Sequence, residues 1–282
     1  MDKVGVINKL KEVYTHLKGS EKRTAEYILK YGKDIIGLSI TELAERCDCS
    51  EATIFRVCKK IGCKGYQEFK IRIAHELVDP IEDIHEDIEG DDNFITIMDK
   101  VFKSTIVSLQ ETMKVNNVKS LEAAADILEK ANEINFFGMG ISGAVALDAY
   151  VKFIRTGKRV AYETDSHIQS MIAATIKKDD AIIAISNSGS NKELIENIKI
   201  AKENGAKVIL LSSKTKSPLT KYADVTLISY GREQYYRSEA SETRIATLVL
   251  LDCLFIQLCL KNREDYYNSL GKVRGAIAKK RL

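Results

Sequence analysis

Residues 181–191 read AIIAISNSGSN, an apolar run that ends in a loop of hydroxyl side chains and glycine. The same order recurs at 133–143, EINFFGMGISG, and further short apolar runs occur at 159–164, 207–212 and 224–229. Helical segments separate these runs, and parallel strands need such crossovers. The pattern predicts an α/β fold with a doubly wound, five-stranded parallel sheet.

The loops after the first and third predicted strands are expected to form a binding site. In doubly wound sheets, ligands bind beyond the carboxyl ends of the strands, where the strand order reverses. Each loop opens a helix, whose amino-terminal N–H groups and positive dipole end favour an anion. Glycine lets the backbone approach the ligand, and serine hydroxyls add donors. We expect a phosphate-binding site built from Gly140, Ser142, Gly143, Ser186, Ser188, Gly189 and Ser190.

A dinucleotide site and ordinary tight turns are the alternatives for these loops. Residues 138–143, GMGISG, also fit the dinucleotide fingerprint G-x-G-x-x-G, and Glu163 or Asp165 follows at about the expected distance of 20 residues. A dinucleotide does not need the second, serine-rich loop, so we prefer phosphate and expect no cofactor.

Residues 39–62, SITELAERCDCSEATIFRVCKKIG, predict a helix-turn-helix. Ser39 and Glu42 form a capping box, Ser50 caps the second helix, and Gly62 ends it. The second helix has the residue types of a DNA-recognition helix. Its outward face is expected to present Ser50, Glu51, Thr53, Arg56, Lys59 and Lys60, with Lys64 just beyond. The alternative is a protein-interaction module with a solvated charged face.

The charge distribution suggests where the chain divides. Residues 1–78 carry a net charge of +4, residues 79–92 carry −8, and the whole chain carries +3. We therefore predict a helix-turn-helix domain at 1–78, an acidic linker at 79–92 and an α/β domain at 93–282.

Neither a metal site nor a membrane segment is expected. The cysteines of the first domain lack the paired C-x2-C spacing of zinc sites, and Cys47 and Cys58 lie on inward helix stripes. The amino terminus lacks the apolar core of a secretory signal, which favours a cytoplasmic protein. The apolar segment 245–260 is short for a membrane helix and contains Asp252, so a buried or subunit-interface helix is preferred. Because helix-turn-helix modules read half-sites in pairs, we expect a homodimer or a dimer of dimers.

The two Gly- and Ser-containing loops on a five-stranded parallel sheet resemble the sugar isomerase (SIS) domain over about residues 110–262. With the segment 39–70 in front of it, the chain resembles the RpiR family of transcriptional regulators. The resemblance implies a sequence-specific regulator of sugar metabolism genes that binds double-stranded operator DNA. It also implies control by a sugar phosphate effector, with an amino-sugar 6-phosphate preferred. The phosphate contacts would fall on Ser142, Ser186, Ser188 and Ser190.

Two further residues are candidates for contact with the sugar. His167 follows the second strand and falls where the chain would reach the same pocket, with a structural role as its alternative. Glu239 is the carboxylate expected to face the sugar, with capping of the following helix as its alternative. Either could serve as the base of an aldose–ketose sugar phosphate isomerase, which is the alternative function. The amino-terminal module argues against an enzyme, because a catalyst needs no recognition helix. The family often has Thr or Arg near positions 190 and 191, whereas this chain has Ser190 and Asn191.

Overall fold

The computed structural model describes residues 5–77, 88–231 and 241–280. The chain forms two compact units that divide within one long helix, between Ile106 and Val107. Most of the acidic segment 79–92 lies outside the described residues. The domain limits 1–78, 79–92 and 93–282 therefore stay a prediction.

The first unit contains a bundle of short helices. Its helices are α1 (Val6–Val13), α2 (Gly19–Lys30), α3 (Gly32–Ile35), α4 (Ile40–Arg46), α5 (Glu51–Lys60) and α6 (Tyr66–Leu77). The capping box predicted before α4 is present, since the Ser39 N–H donates to Glu42 Oε2 at 2.7 Å and the Glu42 N–H donates to Ser39 Oγ at 3.1 Å. Ser50 caps α5 by accepting the N–H of Thr53. The helix-turn-helix is thus formed by α4 and α5, as predicted.

The core of the first unit is apolar and includes cysteines. Cys47 and Cys58 are buried in it, as their helix positions predict. Burial raises the pKa of the Cys47 thiol to about 11 and that of the Cys58 thiol to about 12. Both groups are therefore protonated at neutral pH and behave as small apolar side chains.

The second unit is built on an all-parallel sheet with the order β2-β1-β3-β4-β5. The strands are β1 (Glu133–Gly138), β2 (Arg159–Glu163), β3 (Ala181–Ile185), β4 (Lys207–Ser212) and β5 (Val225–Ile228). Each lies within a predicted apolar run, so the predicted fold class is confirmed. The helices are α7 (Phe94–Val115, which contains the division), α8 (Val118–Lys130), α9 (Ile141–Phe153), α10 (Ser166–Thr175), α11 (Lys192–Glu203), α12 (Ser241–Lys261) and α13 (Arg263–Ala278).

Helices cover both faces of the sheet. Phe136 points into a core that it shares with residues of α9 and α12, whereas Phe137 points into the core on the side of α10 and α11. This alternation follows from the two-residue period of a strand. Because β1 is flanked by β2 on one side and β3 on the other, the chain reverses its direction of travel between β1 and β3. The predicted switch point therefore lies between these two strands.

Helix α12 is long and apolar enough to cross a membrane by length and composition, a test that core helices also pass. One of its faces carries Leu250, Leu251, Leu254 and Leu258, which are buried in the sheet core. Its opposite side exposes Val249, Cys253, Ile256 and Leu260. This distribution agrees with the predicted core helix and, within the described part of the chain, leaves apolar residues exposed on its other side.

Candidate recognition helix and ligand pocket

The outward face of α5 differs from the prediction at one position. Thr53 is only 3% exposed, so the prediction that it lies on the outward face is wrong. Thr53 sits beside the buried Ile54, and its hydroxyl is 3.1 Å from the hydroxyl of Ser50 and accepts a hydrogen bond from Arg56 at 3.2 Å. Its burial therefore leaves no polar group without a partner. The exposed residues of α5 are Ala52, Phe55, Arg56, Lys59 and Lys60.

Two of the predicted DNA-contacting cations are ion-paired within the unit. Glu21, in the first turn of α2, lies 2.6 Å from Lys60 Nζ and 3.5 Å from Arg56 Nε. The side chains of Arg56 and Lys60 stay 61% and 45% exposed, whereas Glu21 is 17% exposed. Both cations therefore remain open to solvent on their outer side. Glu21 carried no signal of this role in the sequence, because it lies 35 residues or more away from its partners.

The other predicted recognition residues surround this face. Ser50 is exposed at the start of α5, and its hydroxyl accepts the N–H of Thr53. Glu51 accepts a hydrogen bond from the hydroxyl of Thr41 at 2.7 Å, which ties α5 to α4. Lys64 is exposed in the turn before α6. Ser50 and Glu51 are thus engaged in holding the helix pair, while Lys59 and Lys64 present charge to solvent.

In the second unit, the two predicted loops lie side by side at the carboxyl edge of the sheet. Gly138 is paired with Ile185 across β1 and β3, so the residues that follow each strand are neighbours. Gly140 precedes α9 with φ of +57° and ψ of −129°, a conformation that favours glycine. The N–H groups of Ser142 and Gly143 donate to the carbonyls of Met139 and Gly140. The Ser142 hydroxyl, which is on a half-buried residue, is therefore the side-chain donor of this loop.

The second loop turns tightly before α11. The Gly189 N–H donates to the Ser186 carbonyl at 3.1 Å, and the Ser190 hydroxyl donates to the Ser188 carbonyl at 3.1 Å. Ser186 is buried, whereas Ser188 and Ser190 are half-buried. Asn191 caps α11, since its Oδ1 accepts the Leu194 N–H at 2.8 Å. Asn191, which stands near where the family often has Thr or Arg, therefore serves as the N-cap of α11.

Two serines at the carboxyl end of β4 support the second loop. The hydroxyls of Ser212 and Ser213 both donate to the Asn187 carbonyl, at 3.0 and 2.9 Å. The Asn187 Oδ1 atom is buried and has no hydrogen-bond partner within the described part of the chain. Ser212 and Ser213 were not predicted, because their hydrogen bonds reach a loop 25 residues or more earlier in the chain.

A buried polar network joins α10 to the ends of β1 and β2 and to α11. Gln169 is fully buried and donates to the Glu163 carbonyl at 2.8 Å and to the Gly138 carbonyl at 3.4 Å. Its Oε1 accepts a hydrogen bond from Asn197 of α11 at 3.3 Å. Gln169 therefore links the ends of β1 and β2 to the helix that follows the second loop. Gln169 was not predicted, because a lone glutamine inside a helix gives no pattern.

The two candidate sugar-contacting residues have different outcomes. His167 is exposed in the first turn of α10, which begins after β2 and next to the β1 edge. Glu239 lies outside the described residues. The acids considered for a dinucleotide are engaged locally: Asp165 caps α10, and Glu163 accepts the N–H groups of Thr164 and Asp165.

Comparison with known proteins connects both units to one family. Residues 4–80 match the helix-turn-helix domain of the rpiR family, and residues 127–257 match the SIS domain. An uncharacterized HTH-type transcriptional regulator of Caldanaerobacter subterraneus subsp. tengcongensis is 36% identical over 98% of this chain and 98% of its own length. The chain belongs to the RpiR family.

Two further proteins are similar to the chain over nearly its whole length. The uncharacterized HTH-type transcriptional regulator YbbH of Bacillus subtilis is 33% identical over 94% of each chain. The structure of Vibrio vulnificus NanR, complexed with ManNAc-6P, has a TM-score of 0.84 and 26% identity, and covers 99% of this chain and 100% of that one. The protein is thus a DNA-binding transcriptional regulator rather than an enzyme, as the sequence predicts.

Proposed function

We propose that this RpiR-family regulator binds operator DNA through α5 and a sugar phosphate through the loops at 138–143 and 186–191. The sugar phosphate then controls the affinity for DNA. The observation that carries the ligand site is the adjacency of the two loops at the switch point between β1 and β3. Parallel sheets of this kind bind ligands there.

The phosphate is proposed to sit on the loop before α11. Ser188 and Ser190 are half-buried there, directly before a helix of 12 residues whose amino-terminal end favours an anion. Ser142, at the start of α9, and the buried Ser186 are the other two serines whose hydroxyls are proposed to donate to the phosphate. Gly140, Gly143 and Gly189 have no side chain and would let the backbone approach the phosphate closely.

The sugar is proposed to be an amino-sugar 6-phosphate. The NanR structure, with which this chain aligns over nearly its full length, contains ManNAc-6P. His167, exposed beside the same edge, is the proposed contact to the sugar ring. Glu239 is kept as a second proposed contact on sequence grounds alone.

The test is the double variant Ser188→Ala/Ser190→Ala. Each hydroxyl should contribute about 1.5–3 kcal/mol to a charge-assisted hydrogen bond with phosphate. Titration calorimetry with ManNAc-6P, N-acetylglucosamine 6-phosphate and glucosamine 6-phosphate should show binding by the wild type and a loss of 100-fold or more in the variant. Ser269→Ala, in α13, is the matched control.

DNA binding separates the two possible failures of this test. Without effector, fluorescence anisotropy should give the double variant a DNA affinity within a few-fold of the wild type, since α5 is unchanged. Normal effector binding by the variant would refute the site. Loss of DNA binding as well would mean that the loop is structural. By linkage, any change in DNA affinity caused by the effector must be matched by an equal change in effector affinity on DNA.

We also propose a homodimer that works in the cytoplasm, where operator DNA and sugar phosphates occur. The apolar residues exposed on α12 follow 4-3-4 spacing, and neighbouring α9 exposes Leu147 and Val151. Exposed apolar residues on two neighbouring helices are typical of a subunit interface. The half-sites of an operator also require recognition helices in pairs. Light scattering that finds a monomer at micromolar concentration would contradict the proposal.

A further inference from the structure

Phe55 is the exposed aromatic residue of the recognition helix. It lies in α5 one turn after Ala52 and next to Arg56, and it is 44% exposed. Its apolar neighbours Ile54 and Val57 are fully buried. Leaving an aromatic ring in water forfeits the free energy of its burial, so this position calls for an explanation.

The ring is held in a defined place on the surface. A Cβ on Gly65, in the turn before α6, would lie 3.4 Å from Cε2 of Phe55, so the ring packs against that glycine. The ammonium of Lys59 lies 5.3 Å from the ring centroid. The remaining surface of the ring faces solvent on the same side of α5 as Ala52.

This surface combines an apolar centre with a cationic border. Ala52 and Phe55 are three residues apart and therefore adjacent on the helix. Arg56, Lys59 and Lys60 lie along the same exposed side, and their charge suits the phosphates that flank the major groove. Within that groove, the apolar group offered by a base pair is the 5-methyl of thymine, which alanine and phenylalanine contact.

We propose that Phe55, with Ala52 beside it, contacts the 5-methyl group of a thymine in each operator half-site and determines specificity at that base pair. The inference rests on the proposed binding of DNA through α5. It also replaces Thr53 as a base-reading residue, since Thr53 is buried. The recognition chemistry at this base pair is then apolar contact, with phosphate contacts alongside.

The experiment begins with a duplex that the full-length protein selects from a random 30-base-pair library. Each thymine of that duplex is replaced singly by deoxyuridine, which lacks the 5-methyl group. Wild-type affinity should fall by about fourfold at one position in each half-site, the amount that one buried methyl group contributes. Phe55→Ala should weaken binding to the unmodified duplex by at least as much. In the variant, the deoxyuridine substitution should have no further effect, as in a double-mutant cycle.

Two further variants keep the test decisive. Phe55→Leu retains an apolar side chain and should keep part of the thymine dependence. It replaces Phe55→Ala in the test if circular dichroism shows that Phe55→Ala does not fold. Ile71→Ala removes an apolar residue that is 51% exposed on α6 and should leave the thymine dependence unchanged. If, at every thymine, deoxyuridine changed the affinity of the wild type and of the Phe55 variants by the same factor, the inference would be overturned. The proposal that α5 binds DNA would still stand. Failure to enrich any duplex would refute the proposed function itself.

Discussion

Glu21 is ion-paired with two of the cations that we propose bind the DNA backbone. Its carboxylate is paired with Lys60 at 2.6 Å and with Arg56 at 3.5 Å. Because both partner side chains are about half exposed, each pair contributes about 0.2–1 kcal/mol, and the two together about 0.4–2 kcal/mol. A phosphate that takes over these cations must first compete with Glu21.

Glu21→Gln keeps the size of the side chain and removes its charge. DNA affinity should rise by about two- to thirtyfold at low salt, which is the same free energy expressed as a ratio. The plot of log affinity against log salt concentration should steepen by about 0.9 for each cation freed. The free energy of unfolding of the variant should fall slightly, because the negative charge of Glu21 in the first turn of α2 also interacts favourably with the helix dipole.

Fluorescence anisotropy over a range of salt concentrations measures both quantities. Glu196→Gln is the matched control, since it makes the same change in net charge at a carboxylate paired with Lys199 in α11. An unchanged or weaker affinity of the Glu21 variant, with an unchanged slope, would refute competition for Arg56 and Lys60. An equal gain in the control variant would mean that net charge alone causes the effect.

Arg56→Ala should weaken DNA binding by about 1–3 kcal/mol if the guanidinium reads a base, and should flatten the salt slope if it binds a phosphate; gel shifts at several salt concentrations distinguish the two. Gln169→Leu should lower the free energy of unfolding by about 1–3 kcal/mol for each buried group left unpaired, whereas Gln110→Leu, at an exposed position of α7, should not. Calorimetric melting curves compare these two variants. Ile256→Arg should convert the proposed dimer to a monomer, because a charge would lie in an apolar interface; light scattering decides, and an intact dimer would place the interface elsewhere.

Local sequence signals gave the elements of this fold. The five strands were predictable because apolar runs bounded by polar loops specify buried parallel strands without reference to the rest of the chain. The capping box of Ser39 and Glu42 involves four consecutive residues, so it too was readable. The short helix α3 has no such signal, because four residues carry no period.

Features that depend on side-chain hydrogen bonds were not predictable in the same way. Thr53 was assigned to the outward face because it is polar, but its hydroxyl is satisfied by Ser50 and Arg56 once the helix forms. The loops of the pocket were found from glycine and serine spacing. Their supports, Gln169 and Ser212, were not, since tertiary hydrogen bonds between separate elements leave no short-range pattern.

Gly189 limits how this ligand domain can be redesigned or can diverge. Its φ is +59°, and a Cβ added there would collide with the side chain of Ser217, lying 2.6 Å from Ser217 Cβ. Ser217 is fully buried and bonded to Thr220, so it has little room to withdraw. A library that varies position 189 would therefore return mostly misfolded loops. Selection for a new sugar would instead act on side chains proposed to face the sugar ring, such as the exposed His167, so changes of ligand preference should accumulate there while the glycine persists.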